Sequence, residues 1–362
     1  ETHNRLRSSK HDPALPLYTQ EEAKQCLEYF QPVSFGESKQ LAGGLSFRFV
    51  HAAHILGSCM IEVSVTRNGG AHRLLFTGDL GRVQDTTVAP GKVVHHSPQE
   101  GESANLLVME STYGNRVHPT TDPRPEMARA ITATVQRGGS VVVPSFAVER
   151  TQKFLFVMKE MIESGQIPRI PVFCDSPMAI KAVQVFLNHQ EEYSEETKSL
   201  IGRFGSPLEW SGFKFCPKQE DSRKIGESRF PCIIVSANGM CMGGRIQHHL
   251  LQRLPDPRNL ILFIGFQAPG TRGAQIKNGE KQVKIFGEIV PVRAQVTAQE
   301  QFSDHADTPE ILKWLRTFSQ QPQETWLVHG EPVAAQSLRD SIMSAMHWRV
   351  DVAQYMQKVP LA

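Results

Sequence analysis

SVVVPSFAVERTQKFLFVMKEMIESG, residues 140–165, opens with a β-branched apolar run that stops at Pro144. After a polar turn, apolar residues return at helical spacing. Such a stretch predicts a buried strand handing the chain to an amphipathic helix. The same design repeats outward from it. PRPEMARAITATVQRG precedes it as a helix, and IPVFCDSPMAIKAVQVFL, PCIIVSANGMCMGGRIQHHLL and NLILFIGFQAPG follow. Strand followed by helix, repeated, predicts parallel strands joined by crossover helices, so the fold class is α/β. Further out, SFRFVHAAHILGSCMIEVSV reads as two strands around a turn, and AHRLLFTGDLG and ANLLVMESTYG as apolar strands with polar tips. Past Glu300, a helix over PEILKWLRTF, a strand TWLVHG and a helix over AAQSLRDSIMSAM close the chain. The layout is one α/β domain interrupted by a second and then resumed.

A length of 362 residues exceeds what one hydrophobic core serves, which fits two domains. Lys and Arg total 39 against 37 Asp and Glu, a formal charge of +2, so any nucleic-acid affinity must come from local patches. The 6 cysteines are widely spaced without a CxxC pair, which fits a reduced, cytoplasmic setting and argues against a disulfide framework. No apolar run approaches the roughly 20 residues that cross a bilayer, so no membrane is expected. The polar opening ETHNRLRSSKHDPALPLYT has no signal-peptide pattern and no initiating Met, and reads as mid-domain linker of a fragment.

Five short motifs place a titratable residue just after an apolar run: His54 in HAAHILGS, Asp79 in FTGDLGR, Glu110 in MESTYG, His305 in FSDHAD and His329 in WLVHGE. Each has a plain structural alternative. His54 could be a satisfied core histidine, Asp79 an Asx-turn acceptor, and the hydroxyls after Glu110 a helix N-cap. Asp307 before TPEILKWL is itself suited to capping a helix, with Pro309 in an early helical position. As a set, the imidazoles and carboxylates suit zinc, which takes nitrogen and oxygen ligands. Asp304, His305 and Asp307 can orient an imidazole for proton transfer. SANGMCMGGR, an apolar strand entering a Gly-rich turn and a helix, reads either as a phosphate cradle or as a tight junction. GFQAPGTRGAQIKNGEKQVKIFG puts Arg272, Lys277, Lys281 and Lys284 on an expected turn and hairpin, a solvated face or a polyanion contact.

In order and wording, SSKHDPALPLYT, HILGS, TGDLGR, ESTYGN, PSFAVERTQ, DSPMAIKA, SANGMCMGGR, GFQAPGTRG, FSDHAD and VHGEP resemble the β-CASP group of metallo-β-lactamase-fold nucleases. The nearest likeness is to the bacterial and archaeal ribonucleases similar to the cleavage and polyadenylation endonuclease subunit. That resemblance implies a four-layer αββα metallo-β-lactamase sandwich, truncated at its N-terminal side, with an inserted parallel-sheet β-CASP domain. It divides the chain into 1–118, 119–300 and 301–362, with the site in the interdomain cleft. It implies that His54, Asp79 and His329 ligate two zinc ions, Asp79 bridging them. Glu110, His305 and Asp79 would be catalytic, the imidazole protonating the leaving oxygen. Ser236, Asn238, Gly239, Arg245 and Arg272 would contact RNA phosphates.

The implied reaction is hydrolysis of single-stranded RNA, endonucleolytic with 5′→3′ exonuclease action as a further mode, leaving a 5′-phosphate and a 3′-hydroxyl. A homodimer through the final helix is left open. Two departures from the pattern stand out. Asp304 replaces a small residue and is expected to raise the pKa of His305. The chain also carries no His-x-His-x-Asp-His cluster. The competing reading is a non-catalytic RNA-binding scaffold with an incomplete metal site.

Overall fold

The computed structural model describes residues 12–67, 70–82, 99–206, 209–228 and 230–360. The expectations resting on the SSKH end of the first motif fall outside them. Two separate sheets carry the molecule. Strands β1 (Ser38–Gln40), β2 (Leu45–His51), β3 (Cys59–Arg67) and β4 (Gly70–Phe76) form an antiparallel run, and β5 (Leu106–Glu110) joins β4 in parallel. The chain then leaves to build the second sheet. That sheet holds β6 (Val141–Pro144), β7 (Val172–Cys174), β8 (Phe213–Phe215), β9 (Ile233–Ser236), β10 (Leu260–Ile264) and β13 (Gln295–Gln299). A separate hairpin pairs β11 (Gln282–Ile285) with β12 (Glu288–Pro291). The chain then returns, adding β14 (Glu324–Val328) beside β5 and β15 (Val350–Val352) outside it, both parallel.

The second sheet, in order β13-β10-β6-β9-β7-β8, is parallel at every pairing. Its apolar runs alternate between two cores as a strand's period of two requires. Val141 and Val143 face the core built with Met127, Ile131, Phe154, Leu155 and Met158, whereas Val142 faces Leu250, Leu254 and Ile276. Helices therefore cover both faces. Those over Arg124–Gln136, Arg150–Glu163 and Pro177–Asn188 lie on one side and those over Ile246–Arg253 and Arg272–Lys277 on the other. The expected turn at Arg272 is in fact this last helix, capped by the Thr271 side chain, and only the residues after it form the hairpin.

The first sheet buries one face against helices Thr308–Leu315 and Pro332–Met346, through Leu107, Met109, Leu327, Ile311, Trp314, Leu338 and Ile342. Among the described residues this is one β layer of the expected sandwich. No helix there is long and apolar enough to cross a membrane.

Candidate active site

Topology gathers the polar tips. β4, β5 and β14 are parallel neighbours, and β2, separated from β4 by the antiparallel β3, runs in the same direction. The residues that follow β2, β4 and β14, and the last residue of β5, therefore emerge along one edge of the sheet. They are His54, Asp79, His329 and Glu110. Close backbone packing seats the loops. At Gly81 a Cβ would sit 1.9 Å from the Ala53 carbonyl oxygen, so only glycine lets the TGDLG loop lie against the loop of His54. The returning chain brings His305 to the same place through a bridge to Gly81 and an amide hydrogen bond from Ala306 to the Leu80 carbonyl of 2.8 Å.

Asp79 is the centre of the arrangement. One of its carboxylate oxygens lies 3.3 Å from His329 Nε2 and the other 3.8 Å from His54 Nε2. The His54 and His305 rings are 4.3 Å apart at their centroids, and His54, Asp79 and His305 can converge donor atoms within 4.8 Å. Among the described residues His54 Nδ1 is buried without a hydrogen-bond partner. Burial, followed by the charge of His305, pushes His54 below the usual histidine range, favouring the neutral imidazole that binds metals. A carboxylate presenting one oxygen to each of two imidazoles, one of them with an unspent nitrogen, is a nitrogen and oxygen donor set that fits zinc.

Glu110 and His305 form a dyad. Nδ1 of His305 donates to both Glu110 oxygens, at 3.0 and 3.1 Å. The Leu80 amide donates to one of these oxygens at 2.6 Å and the Thr112 amide to the other at 3.2 Å. Burial alone would raise Glu110, but the charge and hydrogen bond of His305 and the Thr112 bond hold it below the usual carboxylate range. Burial works to lower His305. The charge and hydrogen bond of Glu110, helped by Asp79, win and raise it. The dyad thus favours an imidazolium whose Nδ1 is held and whose Nε2 is left for chemistry. His118, donating from Nε2 to the His305 carbonyl at 2.9 Å while its amide donates to Asp307 at 2.7 Å, fixes the backbone beneath it. Asp307 is also the N-cap of helix Thr308–Leu315, closing a capping box with Glu310, so its capping alternative is the role the structure gives it. No helix follows Ser111 or Thr112. Their hydroxyls donate to the Val328 and His329 carbonyls at 2.9 Å each and tie β5 to β14.

Asp304, expected to raise His305, is itself engaged by a cation, and the largest upward influences on His305 are Glu110 and then Asp79. The Asp304 carboxylate accepts from Lys153 Nζ at 2.5 Å in a buried pair. The pair links helix Arg150–Glu163 of the second sheet to the loop that carries His305. Burial opposes its ionisation, but Lys153 and then Arg150 hold Asp304 below the usual range. Arg150, also buried, lies over the Phe146 ring at 4.8 Å and adds positive charge near His305. Neither Lys153 nor Arg150 stood out in the sequence. Their signal was only that cations fall on a helix that is otherwise largely core.

The expected phosphate contacts lie in the second sheet and are mostly engaged with protein. Ser236 is buried and donates to the Asp175 carbonyl at 2.8 Å. Arg245 donates to Asp175 at 2.7 Å and to the carbonyls of Cys216 and Pro217 at 2.6 and 2.9 Å. Arg272 donates to the Lys284 carbonyl at 2.7 Å and to the Cys241 carbonyl. Asn238 accepts from the Met240 amide at 2.7 Å, and the Gly239 carbonyl accepts from Gln267 at 3.0 Å. These bonds hold the Gly-rich turn closed around itself.

Two family models and several curated proteins match the chain. Residues 151–276 match the Beta-Casp domain model, and residues 289–353 match that of the Zn-dependent metallo-hydrolase RNA specificity domain. Over 347 residues the chain is 33% identical to Ribonuclease TTHA0252 of Thermus thermophilus, covering 96% of this chain and 76% of that protein. It is 28% identical to an RNase J-like protein of Methanocaldococcus jannaschii, covering 87% and 70%. To the transcription termination factor FttA of Methanosarcina mazei it is 29% identical, covering 87% of this chain and 50% of the factor, so it spans half the length of that relative.

Proposed function

This chain belongs to the β-CASP family of metallo-β-lactamase-fold ribonucleases, and from that premise we propose that it hydrolyses phosphodiester bonds of single-stranded RNA along the edge that carries His54, Asp79, Glu110, His305 and His329. The observation that carries the reading is the Glu110–His305 dyad set 4.3 Å, ring to ring, from His54 and beside Asp79. His54, Asp79 and His329 would be ligands of two zinc ions. Bound zinc supplies Lewis acidity at the phosphate and acidifies the attacking water. The other work falls to the protein. Glu110 fixes the His305 ring and stabilises its charged form, so that His305 donates a proton to the departing ribose oxygen, worth about a hundred- to ten-thousand-fold. The products carry a 5′-phosphate and a 3′-hydroxyl. Cleavage within the strand is the primary mode and 5′→3′ removal of nucleotides the second.

The competing reading is a non-catalytic RNA-binding scaffold. The deciding test is zinc content together with cleavage of a 5′-labelled single-stranded RNA by the parent and H305A. Bound zinc with cleavage lost in H305A supports the nuclease. RNA that is bound but left uncut with zinc in place supports the scaffold.

A further inference from the structure

Six residues beyond Glu110, Arg116 leaves the active-site loop and enters a cleft of about 680 Å³. Thr112, Phe266, Gln267, Lys277 and Glu331 are among its walls. The cleft abuts the site directly, because Thr112 is hydrogen-bonded to both Glu110 and the His329 carbonyl. The guanidinium carbon of Arg116 lies 4.8 Å from the Tyr113 ring centroid and 4.9 Å from that of Phe266. Tyr113 in turn stacks on His305 at 5.8 Å. The Arg116 backbone is pinned as well, its amide donating to Tyr113 and its carbonyl accepting from Thr308. Among the described residues its side chain makes no hydrogen bond and no ion pair. That sets it apart from the other cation of the cleft. Lys277, in the same cleft, is paired with Glu300 at 2.8 Å, and the charge of Glu300 is felt by Arg116 without a direct ion pair.

We propose that Arg116 is a phosphate subsite for the RNA strand as it passes the active site, a reading that rests on the single-stranded RNA substrate proposed above. Two aromatic rings contact the cation and hold it in place at little entropic cost, leaving the guanidinium N–H groups for a ligand. Such a fork matches a pair of phosphodiester oxygens. A nucleobase would need an open aromatic face to stack on, and Tyr113 is already covered by His305 and Arg116. Three carboxylates line the cleft, Glu300 already paired with Lys277 and Glu280 and Glu331 exposed, and they disfavour a second anion, so the subsite takes one phosphate.

The test is binding of a fluorescein-labelled uridine dodecamer, followed by anisotropy in EDTA between about 50 and 200 mM salt, so that cleavage and zinc play no part. For R116Q the affinity falls several-fold and the slope of log affinity against log salt shrinks by about 0.7, the value for one phosphate on a single strand. R116K retains the charge but loses the fork. It binds several-fold more weakly at an unchanged slope, and this variant carries the test if R116Q melts abnormally. R116Q with weakened binding at the parental slope would mean a base contact and overturn the subsite, as would parental affinity in both variants. A parent that binds no RNA removes the premise itself, a different result from a parent that binds while both variants bind equally well.

Discussion

Asp79 and Asp175 each follow an apolar strand in a short polar motif, yet the two regions behave as opposites. Asp79 has a side chain 40% exposed and faces two imidazoles at distances too long or too open to be a closed hydrogen-bond set. Asp175 is 0% exposed, and its oxygens accept from His249 and Ser222 at 2.6 Å each and from Arg245 at 2.7 Å. In the first sheet the polar tips keep donor and acceptor capacity for something outside the chain. In the second, equivalent groups spend it on one another. A carboxylate, a histidine and an arginine near a Gly-rich turn are therefore not evidence of a ligand site until their lone pairs and N–H groups have been accounted for.

The sharpest way to break that contrast is at His305. H305A should lower single-turnover RNA cleavage by about a hundred- to ten-thousand-fold while leaving RNA affinity near the parental value. Loss of affinity in step with rate would move His305 from proton transfer to binding. Next come the buried ion pairs. K153M strands the Asp304 carboxylate and D175N removes the buried charge that Arg245 and His249 share, so each should cost about 3–5 kcal/mol in denaturant unfolding. For K153M cleavage should fall as well, because the pair supports the His305 loop, whereas D175N protein that remains folded should cut RNA at the parental rate.

Acid titration separates the same two regions. Burial would raise Asp175, but the hydrogen bonds of His249, Ser222 and Arg245 hold it below the usual aspartate value. Its contribution to stability is therefore complete above the unfolded pKa of about 3.9 and is lost as pH falls through the lower folded value. The fall in melting temperature below about pH 4 should be shallower in D175N than in the parent, and parallel curves would show that Asp175 titrates alike in both states. Smallest is R272Q. Removing two hydrogen bonds to carbonyls should cost about 1 kcal/mol and leave the salt dependence of RNA binding unchanged. A flattened salt slope would instead return Arg272 to the phosphate contacts expected of it.

The candidate set was legible in the sequence because each of its members lies within three residues of the end of a strand or beside a helix cap, and apolar runs announce where strands end. HILGS, TGDLG, ESTYG and VHGE could be read one at a time. Their convergence could not be derived from spacing. It follows from β2, β4, β5 and β14 running in one direction. The partners of the cations were hidden for the same reason. Lys153 meets Asp304 across 151 positions and Arg245 meets Asp175 across 70, and a charged residue carries no local mark of whether its partner is protein or substrate. The phosphate reading of Arg245 and Arg272 came from their position beside a turn, whereas Arg116, with its N–H groups unspent, was passed over.

By itself the sequence determined the strand and helix pattern, the interrupted layout and the donor types at the strand tips, because these depend on periodicity and on residue chemistry close in the chain. Only the tertiary structure decided which charges are already neutralised inside the protein and which still face the cleft. Hydrogen bonds and ion pairs are settled by distances of about 3 Å between groups that the chain separates by scores of residues, and the packing of two sheets sets those distances.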